Sequence, residues 1–437
     1  MTNQPVRNRE QSAALHRQAT AYFPGGVSHT VRYEPPHPLY VDRASGAFIW
    51  DADGNKYVDF WNNHNASLLG HSHPAVVEAV QKQTENGLHY GTPSEPMIEL
   101  GQRIQETIPS AERLRFCASG TEAVMYCVRL ARAATGRNHV LKIEGAWHGG
   151  STDLSVGVNP PFDERTTAGL PPGIEEYVHT FPLNDVDAVA ATLDAYESDV
   201  AAVIIDTRWT GFFPDEEFLA FLDTMRERHG YLLIFDEVLT GYRLTEGSYQ
   251  ARVGITPDLT ALGKVLGGGL PIGALAGRAE LFEAARPDIE VEPGKRVIAG
   301  GGTFSANPMT LTAALTTLDV IEREPVLEHT ELLARRLRDG LTALFSDEQI
   351  DAAVLGIGSL FELAFNPETP LTSPAVLKSS TDGTALREYH NRLIDHGFYV
   401  LPGHIGNISY QMTDEHVDGV LTASRSIVRE MVAEGLL

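Results

Sequence analysis

The chain has 437 residues, enough for two or three domains with a large buried core, and its composition is that of a globular protein, 43% hydrophobic and 21% charged. A net charge of −24 disfavours a nucleic-acid partner or an anionic membrane surface. No stretch approaches the length of a membrane span, the start "MTNQPVRNREQSAALHRQAT" lacks the apolar core of a secretory signal, and Cys117 and Cys127 suit a reducing, cytoplasmic location. Acid excess, scarce lysine and a preference for arginine together resemble proteins of high-salt cytoplasm. The plain alternative is an ordinary acidic enzyme.

In chain order, "GAFIWDADGNKYVDFW" (46–61) predicts a hairpin turning at Asp53-Gly54. His71 and His73 in "GHSHP" have a spacing that metal ligands can use. No third ligand accompanies them, so a turn before Pro74 is the expected role and no metal site is assigned. "RLRFC" (113–117) reads as a strand, 121–134 as a helix, and "HVLKI" (139–143) as the next strand. "AAVIID" (201–206), a helix over 216–229 and "YLLIF" (231–235) continue the alternation. This pattern implies an α/β fold whose largely parallel sheet is buried on both faces, with ligands beyond the carboxyl ends of its strands. After about residue 310 a helix-rich stretch leads to "VLGIGSLFELAF" and "GFYVLPG", strand-like pieces of a smaller α+β domain, with 366–383 as a loop. The resulting division is an N-terminal segment 1–70, a large domain 71–310 and a small domain 311–437.

Four places carry chemistry. "FCASGTEAVMY" sets Ser119, Gly120 and Thr121 between strand and helix, where free N–H groups and the helix dipole suit a phosphate; a plain helix cap is the alternative. "YLLIFDEVLTGY" ends a buried strand on Asp236-Glu237. A nucleotide hydrolase would also need G-x-x-x-x-G-K-[ST], which the chain lacks, so Asp236 is better placed to hold a pyridine nitrogen protonated. Lys264 is one of six lysines, with Lys56, Lys82, Lys142, Lys295 and Lys378, and it sits in "ALGKVLGGGLPIGALAG". An apolar, glycine-rich setting favours a desolvated amine that can act as a nucleophile over a surface lysine. Trp147 in "EGAWHGG" can stack on a planar cofactor, the alternative being a core tryptophan.

With phosphate seat, stacking residue, acid and lysine in this order, the sequence resembles the class III pyridoxal-phosphate aminotransferases. It is most similar to the branch of glutamate-1-semialdehyde 2,1-aminomutase and the β-phenylalanine and D-phenylglycine aminotransferases. The matching stretches include "PGGVSHTVR", "WDADGNKYVDF", "SGTEA", "EGAWHGG", "FDEVLTGYR" and "GGTFSANP". The resemblance implies a fold type I architecture with a mostly parallel seven-stranded sheet and a small domain built from both chain ends. It implies pyridoxal 5'-phosphate as cofactor, held by Lys264 as a Schiff base. Asp236 would face the ring nitrogen, Val238 and Trp147 the two ring faces, and Ser119, Gly120 and Thr121 the phosphate. Thr303 would reach the phosphate of a neighbouring subunit, so a homodimer with shared sites follows. Arg32 matches an arginine facing the substrate carboxylate, and His64 a position that is tryptophan in the aminomutase and histidine in the phenylglycine enzyme. Arg208 and Trp209 follow Asp206-Thr207, where the family usually carries Glu-Pro. "VLPGHIGNISYQMTDEH" lacks the aminomutase's gating glutamate. The expected activity is transfer of an amino group from a small or aryl-bearing amino acid to a keto acid. The aminomutase is the alternative, and racemase or decarboxylase chemistry on the same scaffold is a further one.

Overall fold

The computed structural model describes residues 7–162, 166–196, 198–207, 212–292, 294–367 and 371–437. The chain forms two compact units: one of Met1–Pro74, Val326–Pro367 and Thr381–Leu437, the other of Ala75–Pro325 with Glu368–Ser380.

The first unit opens with β1 (Val41–Ser45), β2 (Phe48–Asp51) and β3 (Lys56–Asp59), antiparallel neighbours whose β2–β3 turn carries Gly54 at φ 84°, a left-handed conformation that glycine adopts without strain. The predicted hairpin is therefore present.

The second unit is built on seven strands: β4 (Arg113–Cys117), β5 (His139–Ile143), β6 (Val178–Phe181), β7 (Val200–Asp206), β8 (Leu232–Asp236), β9 (Leu259–Gly263) and β10 (Gly273–Gly277). Their order is β4-β10-β9-β8-β7-β5-β6, and only β10 runs antiparallel to its neighbours. Every residue of β7, β8 and β9 is buried, as an apolar run covered on both faces requires. The helix Gly120–Thr135 starts on Ser119, whose hydroxyl accepts from the Glu122 N–H, and stops at Gly136 in the left-handed region. It buries Ala123, Cys127, Leu130 and Ala131 in the core with Ala202, Ile234 and Ala261. Complete burial of a leucine contributes roughly 2 kcal/mol, so this apolar helix face anchors the helix whose first turn faces the strand ends. Gly273 must be glycine, because a Cβ there would collide with the Ser119 carbonyl.

The first unit is completed by β11 (Ala352–Leu355), β12 (Leu360–Phe365), β13 (Phe398–Tyr399) and β14 (Gly406–Asn407). β13 joins β3 in parallel, and β11-β12-β14 form a separate three-stranded sheet. Helices Val326–Asp347 and Asp414–Ala433 close its core around Leu337, Leu341, Ile427 and Val428. One expectation is corrected here. The 366–383 stretch is not all loop: Pro374–Ser380 is helical and belongs to the second unit, with Leu377 buried. Proline at the first helical position explains why a composition rich in Pro and Ser nonetheless starts a helix. Among the described residues, no helix is long and apolar enough to cross a membrane.

Candidate cofactor and active site

β7 and β8 lie in register, Asp206 beside Asp236, so two buried carboxylates end adjacent strands. An Asp236 carboxylate left without donors there would be costly. Its Oδ1 accepts from the Val238 N–H at 3.1 Å, and its Oδ2 lies 2.7 Å from His148 Nδ1. His148 is buried and reaches β8 from the loop that follows β5. Its partnership with Asp236 was not legible in the sequence, since the two lie far apart in the chain; the only signal was a histidine directly after the singled-out Trp147. Glu237, next to Asp236, takes a different role. Burial pushes it up to about 7, while it accepts from the Tyr249 and Gln250 N–H groups and the Gln250 side chain, holding the start of the next helix.

Three glycine contacts draw the rest of the site together. A Cβ on Gly120 would stand 2.6 Å from Val238 Cγ1, so the first residue of the helix rests directly on the valine. A Cβ on Gly149 would collide with the Thr121 side chain, so the loop bearing Trp147 and His148 rests on the helix start. A Cβ on Gly263 would lie 3.2 Å from Val238 Cγ1 and 3.6 Å from the Gly120 Cα. Lys264 follows at once, half-buried and at φ 46°, a left-handed conformation that costs a non-glycine residue energy and is concentrated at functional sites. Asp236, Val238, Gly120, Thr121 and Lys264 thus border one continuous surface at the strand ends. Trp147 is 43% exposed, which sets aside the alternative of a core tryptophan. Thr303 is exposed on a segment running along the same helix, where Tyr126 Oη donates to the Gly300 carbonyl at 2.9 Å.

These residues fit pyridoxal phosphate. The first turn of a 16-residue helix offers N–H groups and the Ser119 and Thr121 hydroxyls to a phosphate, a carboxylate closes a strand end, and an amine stands on the neighbouring one.

In the first unit, Arg32 is exposed at the end of a short turn, Thr30–Arg32. His64 lies in a left-handed turn, its ring 4.6 Å from that of Trp61 and 5.9 Å from that of His29; His404 lies 5.6 Å from Trp61. His71 Nε2 lies 2.7 Å from Asp59 Oδ2. Arg208 and Trp209 lie outside the described residues.

Residues 29–419 match the family described as aminotransferase class-III, and the chain belongs to that family. It is an enzyme of the fold type I, pyridoxal-phosphate-dependent kind. It is 37% identical, over 89% of its length and 90% of the relative's, to a glutamate-1-semialdehyde 2,1-aminomutase of Methanopyrus kandleri. Its structure is similar to that of an omega-transaminase from Sphaerobacter thermophilus, with 32% identity, a TM-score of 0.88 and coverage of 96% of this chain and 97% of the other. A transaminase solved with PLP bound is 30% identical with a TM-score of 0.89, covering 99% of this chain and all (100%) of the other.

Proposed function

We propose that the protein is an aminotransferase moving an amino group from a small or aryl-bearing amino acid to a keto acid, with Lys264 and Asp236 as its catalytic residues. When bound, pyridoxal phosphate supplies an aldehyde that takes up an amine covalently and a protonated ring that accepts an electron pair from the adjacent carbon. Lys264 holds the cofactor between turnovers. Once a substrate amine had displaced it, its Nζ would lift the proton from the nitrogen-bearing carbon and deliver one to the former aldehyde carbon of the cofactor. Asp236 keeps the ring nitrogen protonated, and His148 holds the second carboxylate oxygen so that the first faces the ring. Ser119, Gly120 and Thr121 bind the phosphate; Val238 packs on one ring face and Trp147 on the other. The observation that supports this reading is the contact chain from Asp236 through Val238 to Gly120 and Gly263, which brings the ends of β8 and β9 to the helix start.

Thr303 reaches the phosphate of a second copy in a homodimer with shared sites. Exposed Leu88, Ile98, Ile298 and Phe304, each at least 59% accessible and all in the second unit, support an apolar face that such a partner covers. Sedimentation giving a monomer at micromolar concentration would remove this part. For the substrate, we assign Arg32 to its carboxylate, and His64, with Arg208 and Trp209, to its side chain. The rings of His29, Trp61, His64 and His404 cluster with no carboxylate in Val400–Met412, a composition suited to an aryl group.

A second reading has the stronger support from curated relatives. The Methanopyrus protein, at the highest identity quoted above, is an aminomutase, which exchanges amino and carbonyl groups within one substrate. A panel of amino acids, with and without pyruvate or 2-oxoglutarate, separates the two. Keto-acid-dependent turnover of an aryl or small amino acid is the expected result. Turnover of glutamate-1-semialdehyde with no acceptor, and of nothing else, would replace it with the second reading.

A further inference from the structure

Two lysines outside the reaction hold one loop closed. Lys142, on β5, is fully buried, and its Nζ donates to the carbonyl oxygens of Ala146, Leu154 and Val156, each at 2.9 Å. Lys378, from the helix Pro374–Ser380, donates to the carbonyls of Gly145 and Val158, each at 2.9 Å. The five acceptors sit at the two ends of a single excursion, 145–146 and 154–158. The Gly145 N–H joins those ends again by donating to Gly157 O at 2.8 Å.

Three simultaneous acceptors suit an ammonium, which has three N–H bonds to give where a neutral amine has two. Burial pulls Lys142 down to about 7, with the Asp206 carboxylate opposing and Lys378 reinforcing the shift. The three carbonyls favour the charged form, because a charged donor makes the stronger hydrogen bond and would be left orphaned without them. Between the fastened ends run Trp147, His148 and Gly149. His148 meets the Asp236 carboxylate, and Gly149 rests against Thr121 at the helix start.

We propose that Lys142 and Lys378 are positioning residues for the reaction: they fasten the 145–158 loop at both ends so that its His148–Gly149 step meets the ring-nitrogen carboxylate and the phosphate seat together. This rests on the cofactor seat proposed above. Lys378 comes from the short stretch that the C-terminal part of the chain lends to the second unit, so a segment remote in sequence controls the cofactor loop.

Lys378→Met is the principal variant, because Lys378 is an exposed residue and its removal empties no core; Lys142→Met is the companion. Hydrogen exchange of the 145–158 amides is measured in apoprotein and holoenzyme, with the pyridoxal-phosphate dissociation constant and the kcat and KM of the best amino donor. In Lys378→Met we expect exchange in this loop to quicken about 10-fold while helix Gly120–Thr135 keeps its protection, since a local opening leaves the global fold in place. Cofactor affinity falls several-fold and kcat falls with KM unchanged. Wild-type exchange, affinity and kcat in Lys378→Met would overturn the inference while leaving the cofactor seat standing. A wild-type chain that takes up no pyridoxal phosphate would overturn both.

Discussion

Each unit contains a strained segment held by buried polar side chains, and the two segments differ in what the polar groups are for. In the first unit, Asn62, Asn63, His64 and Asn65 run at φ 44°, 56°, 57° and 61°, four consecutive left-handed residues without a glycine among them. Such a turn costs roughly 1–2 kcal/mol per residue, less for asparagine, and needs outside support. Asn62 Nδ2 donates to the Asn407 carbonyl at 3.0 Å, Asn407 Nδ2 to Asn65 Oδ1 at 2.6 Å, and Asp59 Oδ1 accepts from the Trp61 and Asn62 N–H groups. These bonds tie the turn to Asp59 and Asn407 and hold its shape, with Asn62 Oδ1 left buried without a partner. In the second unit, Asp236 ends β8 and Lys264 follows β9 at φ 46°, with Val238 packed against Gly120 and Gly263 beside them. The first segment's polar groups hold a backbone turn, whereas the second segment's acid and amine end adjacent strands beside the helix start at Ser119.

Breaking the second unit's segment gives the largest effect. Lys264→Ala removes both the covalent hold and the base, and kcat should drop at least about 10⁴-fold. Asp236→Asn leaves the shape but not the charge; with the ring nitrogen no longer held protonated, kcat should fall about 10²–10³-fold. A variant within 10-fold of wild type would show that Asp236 does not face the ring.

Breaking the first unit's segment should move stability instead. Asn407→Ala takes the Nδ2 donor away from Asn65 Oδ1 and the Trp61 carbonyl, while keeping the backbone carbonyl that Asn62 uses, and should cost about 1–3 kcal/mol. That is a melting temperature lowered by several degrees, with the bound-cofactor spectrum unchanged. An altered spectrum with an unaltered melting temperature would invert the distinction between the units.

A further effect concerns pH. Glu34 is buried in the first unit, and burial raises its carboxyl to about 7, with Arg9 opposing. Its unfolded value is near the ordinary one, so between about pH 4.5 and 7 the native state holds the proton that the unfolded state has lost. Stability therefore falls as pH rises through that window, by no more than about 3 kcal/mol. Glu34→Gln should be relatively more stable at pH 8 than at pH 5 when each is compared with wild type. Equal differences at both pH values would contradict this.

The alternation of strands and helices was legible because apolar runs such as "YLLIF" and "AAVIID" are local and continuous. Ser119–Thr121, Asp236 and Lys264 were legible because each occupies a strand end or helix start, and such positions have sequence signals. His148 was not, because its partner depends on how the loop after β5 folds back on β8. Lys142 and Lys378 were noted only as members of a scarce residue type; their acceptors are backbone carbonyls, which leave no mark in a sequence. The helix Pro374–Ser380 was hidden by turn-forming composition, which its buried Leu377 overrides. The left-handed turn at "NNHN" carries one faint signal, the tolerance of asparagine for that conformation.

The central claim is that one amine and one carboxylate hold the same ring. Borohydride reduction of the holoenzyme followed by peptide mapping tests it most directly. A single pyridoxyl adduct is expected, on Lys264, and Lys264→Ala abolishes it. An adduct on Lys142, Lys378 or any other lysine in the wild-type enzyme, or one that survives in Lys264→Ala with activity intact, would contradict it.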